Sequence, residues 1–266
     1  RKAHSSFIVV FTMKLETGYQ RLEREINRLD SENKRVDIWW RDDDLEAPSH
    51  SLENMISVSD NINLAPLLAV VPAKASEQLV KLLNQCKVNI AMHGLHHYNY
   101  EPLTRKKAEF GSFRPIEVQW RDLKTGTRQL EQLFGDLFLK CFVPPWNRIN
   151  NKLTKSLPSF GISGLSTFAS SRKTTPVPGL LQINTHVDVI DWKEKQSFIG
   201  AELMADKIAA ELQNRRTRTI GAPEPIGLLT HHLIMSIDDW KQFQEVCLFL
   251  KKSTSINLTS PINYFG

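Results

Sequence analysis

Val36-Asp37-Ile38-Trp39-Trp40-Arg41-Asp42-Asp43-Asp44 is an apolar run that ends abruptly in three carboxylates. Residues 36–40 read as a strand, a short block of β-branched and aromatic side chains bounded by charge. Three adjacent carboxylates repel one another unless a cation intervenes. Taken alone, such a run is most often a solvated turn. Here it terminates a buried strand, where a metal ligand beside a general base accounts for adjacent aspartates. Side chains alternate along a strand, so only some of the three reach one site.

Four other apolar runs end the same way. Val88–Met92 delivers His93-Gly94-Leu95-His96-His97, and Leu139–Val143 delivers Pro144-Pro145-Trp146-Asn147-Arg148. Leu180–Val189 leads into Asp188-Val189-Ile190-Asp191-Trp192, and Ile226–Thr230 ends in His231-His232. Ala65–Val71, stopped by Pro72, and Gly161–Thr167 complete the strand set. Between them lie segments with helical spacing: 16–33 (Leu22, Ile26 and Leu29 on one face), 48–58, 75–85, 116–137, 150–157, 200–215 and 237–252. This alternation predicts a parallel sheet with helical crossovers, about seven β/α repeats, in one α/β barrel-like domain. Residues 1–35 read as an N-terminal extension and surface helix, and 36–266 as the barrel, its edge closed by the segment after residue 252. The polar clusters follow the strands, the face on which α/β barrels carry active sites. Residues 98–115 form a long loop without periodicity, a binding loop or lid, in which Tyr98 and Asn99 are candidate substrate contacts.

Composition narrows the class. The 266 residues carry a net charge of +5 and 24% charged side chains, an ordinary globular balance. The basic stretches Arg105-Lys106-Lys107 and Arg215-Arg216 with Arg218 are short and lack interleaved aromatics, which argues against nucleic acid as a partner. Cys86, Cys141 and Cys247 are odd in number and widely spaced, so buried free thiols and a reducing, cytoplasmic setting are expected. Residues 7–11 are apolar but too short to span a membrane, and no cleavage pattern follows them. Met13 is a candidate native start, with residues 1–12 upstream of it.

Each cluster has a chemical reading and a plainer one. His93 and His97 are four apart, and on a helical turn after a strand they share a face, as two imidazoles on one ion must. One carboxylate with two histidines leaves positions for water and substrate, the pattern of a catalytic rather than a structural metal site. Pro144-Pro145 is a rigid turn whose first free N–H, at Trp146, is a candidate oxyanion donor, with Arg148 a candidate to orient a carboxylate. Asp188 and Asp191 read equally as a strand end. A buried histidine such as His231 or His232 is more often a satisfied core residue than a catalyst, until its neighbours are counted.

These clusters, in this order over residues 36–235, resemble the motifs of the polysaccharide deacetylase family, the NodB-homology proteins of carbohydrate esterase family 4. The resemblance implies a single-domain distorted (β/α)7-type barrel. It implies Asp43 as base and Asp44 as metal ligand, with Asp42-Asp43 the alternative register, and His93 and His97 as the other two ligands. It implies the Trp146 N–H as oxyanion donor, Asp191 or Asp188 as an orienting acid, Trp192 and Trp146 as sugar-stacking rings, and His231, or His232 in the other register, as the acid. The implied cofactor is a divalent metal, Zn²⁺ by preference, and the implied substrate an N- or O-acetylated amino sugar or polysaccharide. Two departures stand out. Val143 occupies the position of the family arginine that orients the catalytic aspartate, for which Arg148 or Arg41 are the substitutes, and Leu45 replaces the glycine after the aspartate pair. The rivals are an amidohydrolase of this fold acting on a cyclic amide and a non-catalytic sugar- or metal-binding relative.

Overall fold

In the computed structural model, which describes residues 16–170, 174–217 and 224–266, β1 (Val36–Leu45) does not stop at Trp40 but continues through all three aspartates. The expectations for residues 1–12, Met13 and Arg218 lie outside the described residues. The strand is prolonged because it is paired on both sides. Asp42 is opposite Thr230 on one neighbour and Leu68 on the other, so its backbone groups stay hydrogen-bonded beyond the apolar half.

The further strands are β2 (Leu67–Val70), β3 (Asn89–His93), β4 (Phe138–Val143), β5 (Gly164–Leu165), β6 (Leu181–Gln182), β7 (Val187–Asp188), β8 (Ile190–Asp191), β9 (Ser197–Phe198), β10 (Ile226–Thr230) and β11 (Ile256–Leu258). The main sheet has the order β6-β5-β4-β3-β2-β1-β10-β7, all parallel. Its two edges, β6 and β7, belong to one extended segment. Ile183 and Thr185 donate to the carbonyls of Leu165 and Thr167, whereas His186 and Val189 donate to those of Gly227 and Leu229. A single stretch thus bridges β5 and β10 and curls the sheet round on itself in one domain. A Cβ at Gly227 would lie 2.6 Å from the Asn184 carbonyl oxygen and the Thr185 Cα, so the close crossing requires glycine there.

Closure therefore does not come from the residues after 252. With both edges already occupied, β11 pairs with the start of β1, and α8 (Ile262–Phe265) carries Phe265 into the barrel against Trp39, their rings 6.0 Å apart. β8 and β9 form a small antiparallel pair with Trp192 in its turn, an addition not expected from the sequence.

Helices cover the outside: α1 (Gly18–Ser31), α2 (His50–Ile62), α3 (Glu77–Leu83), α4 (Ile116–Phe134), α5 (Asn151–Ser156), α6 (Ala201–Thr217) and α7 (Ile237–Leu250). Their starts are written in the sequence. The side chains of Thr17, Ser49, Ser76, Asn150 and Ser236 each accept an amide of the first turn, which stabilises a helix by about 1 kcal/mol. α4 ends before Leu137 because Gly135 turns into the left-handed region (φ 50°). α1 buries Leu22, Ile26 and Leu29 and is tied to α6 by the Arg21–Asp206 pair (2.8 Å).

Two cores result from strand alternation. Ile38 and Trp40 face outward, where Trp40 packs on Trp240 and Phe243. Trp39 faces inward with Leu67, Ala69, Ala91, Leu139, Cys141, Val143, Ile183 and Phe265. This apolar plug fills the barrel beneath the carboxyl ends of the strands, and each large side chain in it contributes about 1.5–3 kcal/mol by leaving water. Cys141 and Cys247 are buried free thiols, whereas Cys86 is only partly buried. Among the described residues, no helix is long and apolar enough to cross a membrane.

Candidate active site

Arg41 and Asp43 share the inward parity of Trp39, whereas Asp42 points outward with Trp40. Ordinary alternation would send Asp44 outward as well. Instead the register of β1 against β2 shifts between Asp42 and Leu45, and Asp44 adopts φ 68°. This bulge re-aims its carboxylate to the barrel mouth, so that two adjacent aspartates serve one site. Asp42 is removed from it: its Oδ1 lies 2.5 Å from His232 Nδ1, and its Oδ2 accepts from the Thr230 hydroxyl (2.6 Å), whose oxygen in turn accepts from Trp40 Nε1 (2.8 Å).

The two histidines after β3 do converge, though not by a helical turn. The chain passes through Gly94 (φ 65°) and returns at His97 (φ 58°), with no helix between them. The turn is held by Glu109, a fully buried carboxylate from the long loop. Its Oε1 accepts the Leu95 and His96 amides (3.1 and 2.8 Å), and its Oε2 accepts the His97 amide (3.0 Å). His93 Nδ1 meets the Val143 carbonyl (2.9 Å), which fixes it as the donor nitrogen and leaves Nε2 facing the site.

His93 Nε2 and His97 Nε2 lie 3.0 and 3.1 Å from Asp44 Oδ1. The donor atoms of these three residues all fall within 4.8 Å of one another. Burial alone would raise the Asp44 carboxyl, but the hydrogen bonds from His93 and His97 and the charges of His93 and His231 hold it well below the usual carboxylate range. A carboxylate anion and two imidazole nitrogens, one oriented from behind, are the donor set of a divalent-cation site with open positions. Asp44 keeps about 31% of its side chain exposed, so the site is reached from solvent.

Asp43 is buried against Arg41, with Nε 2.9 Å from Oδ1 and Nη2 donating to Oδ2 at 3.0 Å. The same guanidinium donates to Asn147 Oδ1 (2.6 Å), Ser166 Oγ (2.8 Å) and the Thr167 carbonyl (3.2 Å). Arg41 therefore supplies the cation that Val143 cannot. Arg148 does not orient a carboxylate here: its Nη1 donates to the Lys107 carbonyl (2.8 Å), because the left-handed turn at Trp146 and Asn147 (φ 55° and 56°) carries it away from the barrel axis. The Trp146 N–H makes no hydrogen bond among the described residues, and its ring lies 4.5 Å from that of His97.

On the far side, His231 Nε2 stands 4.0 Å from Asp44 Oδ2. Its ring meets the edge of Trp192 at 4.7 Å, and Trp192 Nε1 donates to Asp188 Oδ2 (2.8 Å). Asp188 is raised by burial, in part offset by the Ile190 amide, His231 and Trp192. Asp191 caps the turn instead, accepting the Lys193 and Glu194 amides at 3.1 and 3.2 Å, so neither aspartate hydrogen-bonds His231. Asn99 likewise serves its own loop, accepting from Glu101 and Ala108, while Tyr98 is exposed and stacks on His96.

Two site residues escaped the sequence reading or were left open by it. Glu109 looks like any loop carboxylate, and only its later burial beside Phe110 distinguishes it. Arg41 carried a signal, an arginine inside an apolar strand, but two candidates competed for its role.

No family model matches the sequence, and no curated protein is similar to it in sequence. Solved structures do match. A Mycobacterium smegmatis protein assigned as a polysaccharide deacetylase superposes with a TM-score of 0.63 at 17% identity, covering 85% of this chain and 87% of that one. The Bc1960 peptidoglycan N-acetylglucosamine deacetylase gives 0.57 at 16% identity, covering 87% and 88%. A mutant of BA3943 from Bacillus anthracis, a family 4 pseudoenzyme with restored activity, gives 0.58 at 13% identity, covering 88% of this chain and 68% of that one. The chain has the fold of these family 4 carbohydrate esterase structures, at 13–17% sequence identity.

Proposed function

We propose that this chain is a metal-dependent hydrolase that removes acetyl groups, N-acetyl before O-acetyl, from an amino-sugar or polysaccharide substrate. The observation that carries the reading is the convergence of Asp44, His93 and His97 within 4.8 Å, with His231 across from them and Asp43 clamped on the neighbouring inward position. The deacetylases that share its fold support the reaction class.

Asp44, His93 and His97 would hold the ion, with zinc the cation best matched to one carboxylate and two imidazoles. Once bound, it would supply Lewis-acid polarisation of the acyl oxygen and of the attacking water. Asp43, held by Arg41, takes the proton of the water as it adds to the acyl carbon. The free Trp146 N–H is the donor for the oxyanion that develops. His231 protonates the leaving nitrogen as the C–N bond breaks, giving acetate and the free amine. Trp192 and Trp146 offer flat apolar faces to a sugar ring.

Acetate release from N-acetylglucosamine oligomers, followed with bound metal quantified, tests this. Asp43→Asn should lower turnover by about 10²–10⁴-fold with metal content preserved. Equal turnover by the variant would remove Asp43 from the base role. The pseudoenzyme of the same fold favours one second reading, a sugar- or metal-binding protein without turnover, which predicts bound metal and no acetate from the wild type.

A further inference from the structure

We propose that Glu109 is the positioning residue of the cation site: it sets the His93–His97 turn into the one conformation that aims His97 Nε2 at Asp44. This rests on the reading that Asp44, His93 and His97 hold a cation. The local chain opposes the conformation. His97 sits at φ 58°, a region that side-chain-bearing residues seldom adopt, and the four-residue spacing has no helix to enforce it. What enforces it is one buried carboxylate that receives three successive amides, those of Leu95, His96 and His97, at 2.8–3.1 Å. Among the described residues, the further hydrogen bond of Glu109 is made by its backbone carbonyl, which accepts Arg114 Nη1 at 3.3 Å, so the carboxylate itself is given over to this turn.

The surroundings are shaped for that carboxylate. Gly94 leaves the space it occupies, because a Cβ there would lie 1.9 Å from Glu109 Oε2. The main-chain register of 94–97 is thus read out by a side chain 12–15 positions later, which couples the long loop to the ligand it follows. If substrate contact moves this loop, the displacement reaches His97 through Glu109 without any side chain of the loop touching the ion.

Zn²⁺ or Co²⁺ alone, titrated into the full chain against a competing chelator, is the probe. Glu109→Gln removes acceptor capacity at constant size. It should weaken binding by roughly 10–100-fold, the range for groups that orient ligands. It should also change the Co²⁺ d–d spectrum towards that of His97→Ala. Glu109→Asp, which keeps the charge but sets it back, should fall between. Combining Glu109→Gln with His97→Ala should weaken binding no further than His97→Ala alone, whereas a general loss of structure would add to it. In metal-free protein, hydrogen exchange at the amides of Leu95, His96 and His97 should quicken in Glu109→Gln. Unchanged affinity and spectrum in Glu109→Gln, or additive losses, overturn the assignment while leaving the cation site standing. Absence of binding by the wild type overturns both, and is told apart because it precedes any variant.

Discussion

Arg41→Met and Asp43→Asn, made singly and together, interrogate the buried pair on which the arrangement of the base depends. Arg41 is fully buried and Asp43 is 3% exposed, and their two contacts span 2.9 and 3.0 Å. Removing either charge leaves the other stranded away from water. That costs about 3–5 kcal/mol, where an exposed pair would cost under about 1. Arg41→Met additionally deprives Asn147 Oδ1 of its donor, at about 1–3 kcal/mol for an acceptor left unsatisfied, whereas the Thr167 carbonyl keeps the Thr185 amide at 3.0 Å. In a domain of this size the first effect alone lowers Tm by roughly 6–20 °C. The double variant buries no net charge, so its loss should fall short of the sum by about 2–3 kcal/mol. Urea unfolding of metal-free protein, with constant m-values, measures this. Losses that add to within about 0.5 kcal/mol would refute the pairing as an energetic unit. Arg41→Lys should recover part of the stability but not the full turnover, since an ammonium lacks the planar fork that meets Asp43 and Asn147 together.

Three further outcomes are expected. Zn²⁺ at about 100 times its Kd should stabilise the wild type by roughly 2.7 kcal/mol and Asp44→Ala hardly at all; thermal shift assays reporting equal gains would count against Asp44 as a ligand. His232 has its pKa raised, since the charge and hydrogen bond of Asp42 outweigh burial. Its stabilising contribution is therefore complete below about pH 6.5 and is lost as pH rises through the higher folded-state value, so the stability gap between wild type and His232→Gln should narrow as pH is raised above about 6.5. A gap that widens on that titration would reverse the assignment. Trp192→Ala removes the edge contact to His231 and the donor to Asp188, and should cut kcat/KM by up to about tenfold in steady-state assays; an unaltered value would separate Trp192 from the site.

Much of the fold was legible in the chain. Strands at 67–70, 89–93, 138–143 and 226–230 lie within or beside their predicted apolar runs because buried parallel strands leave a continuous apolar signature. The helix starts were legible because a cap is a local interaction. The barrel closure was not: β6 and β7 pair over only two residues each, and the choice of the segment 181–188 over the residues after 252 depends on which of them the curled sheet meets.

The inventory of the site belongs to the sequence by itself: three aspartates, two histidine groups and a Pro-Pro-Trp turn, each at the end of an apolar run and thus at the same end of a parallel barrel. Which members of that inventory meet was decided only in three dimensions. Asp44 joins Asp43 through a bulge, His97 joins His93 through Glu109, and Arg41 rather than Arg148 reaches Asp43. The physical reason is that burial and periodicity are properties of neighbouring residues, whereas the direction of a side chain at a strand end is set by left-handed backbone turns, and those are held in place by groups distant along the chain.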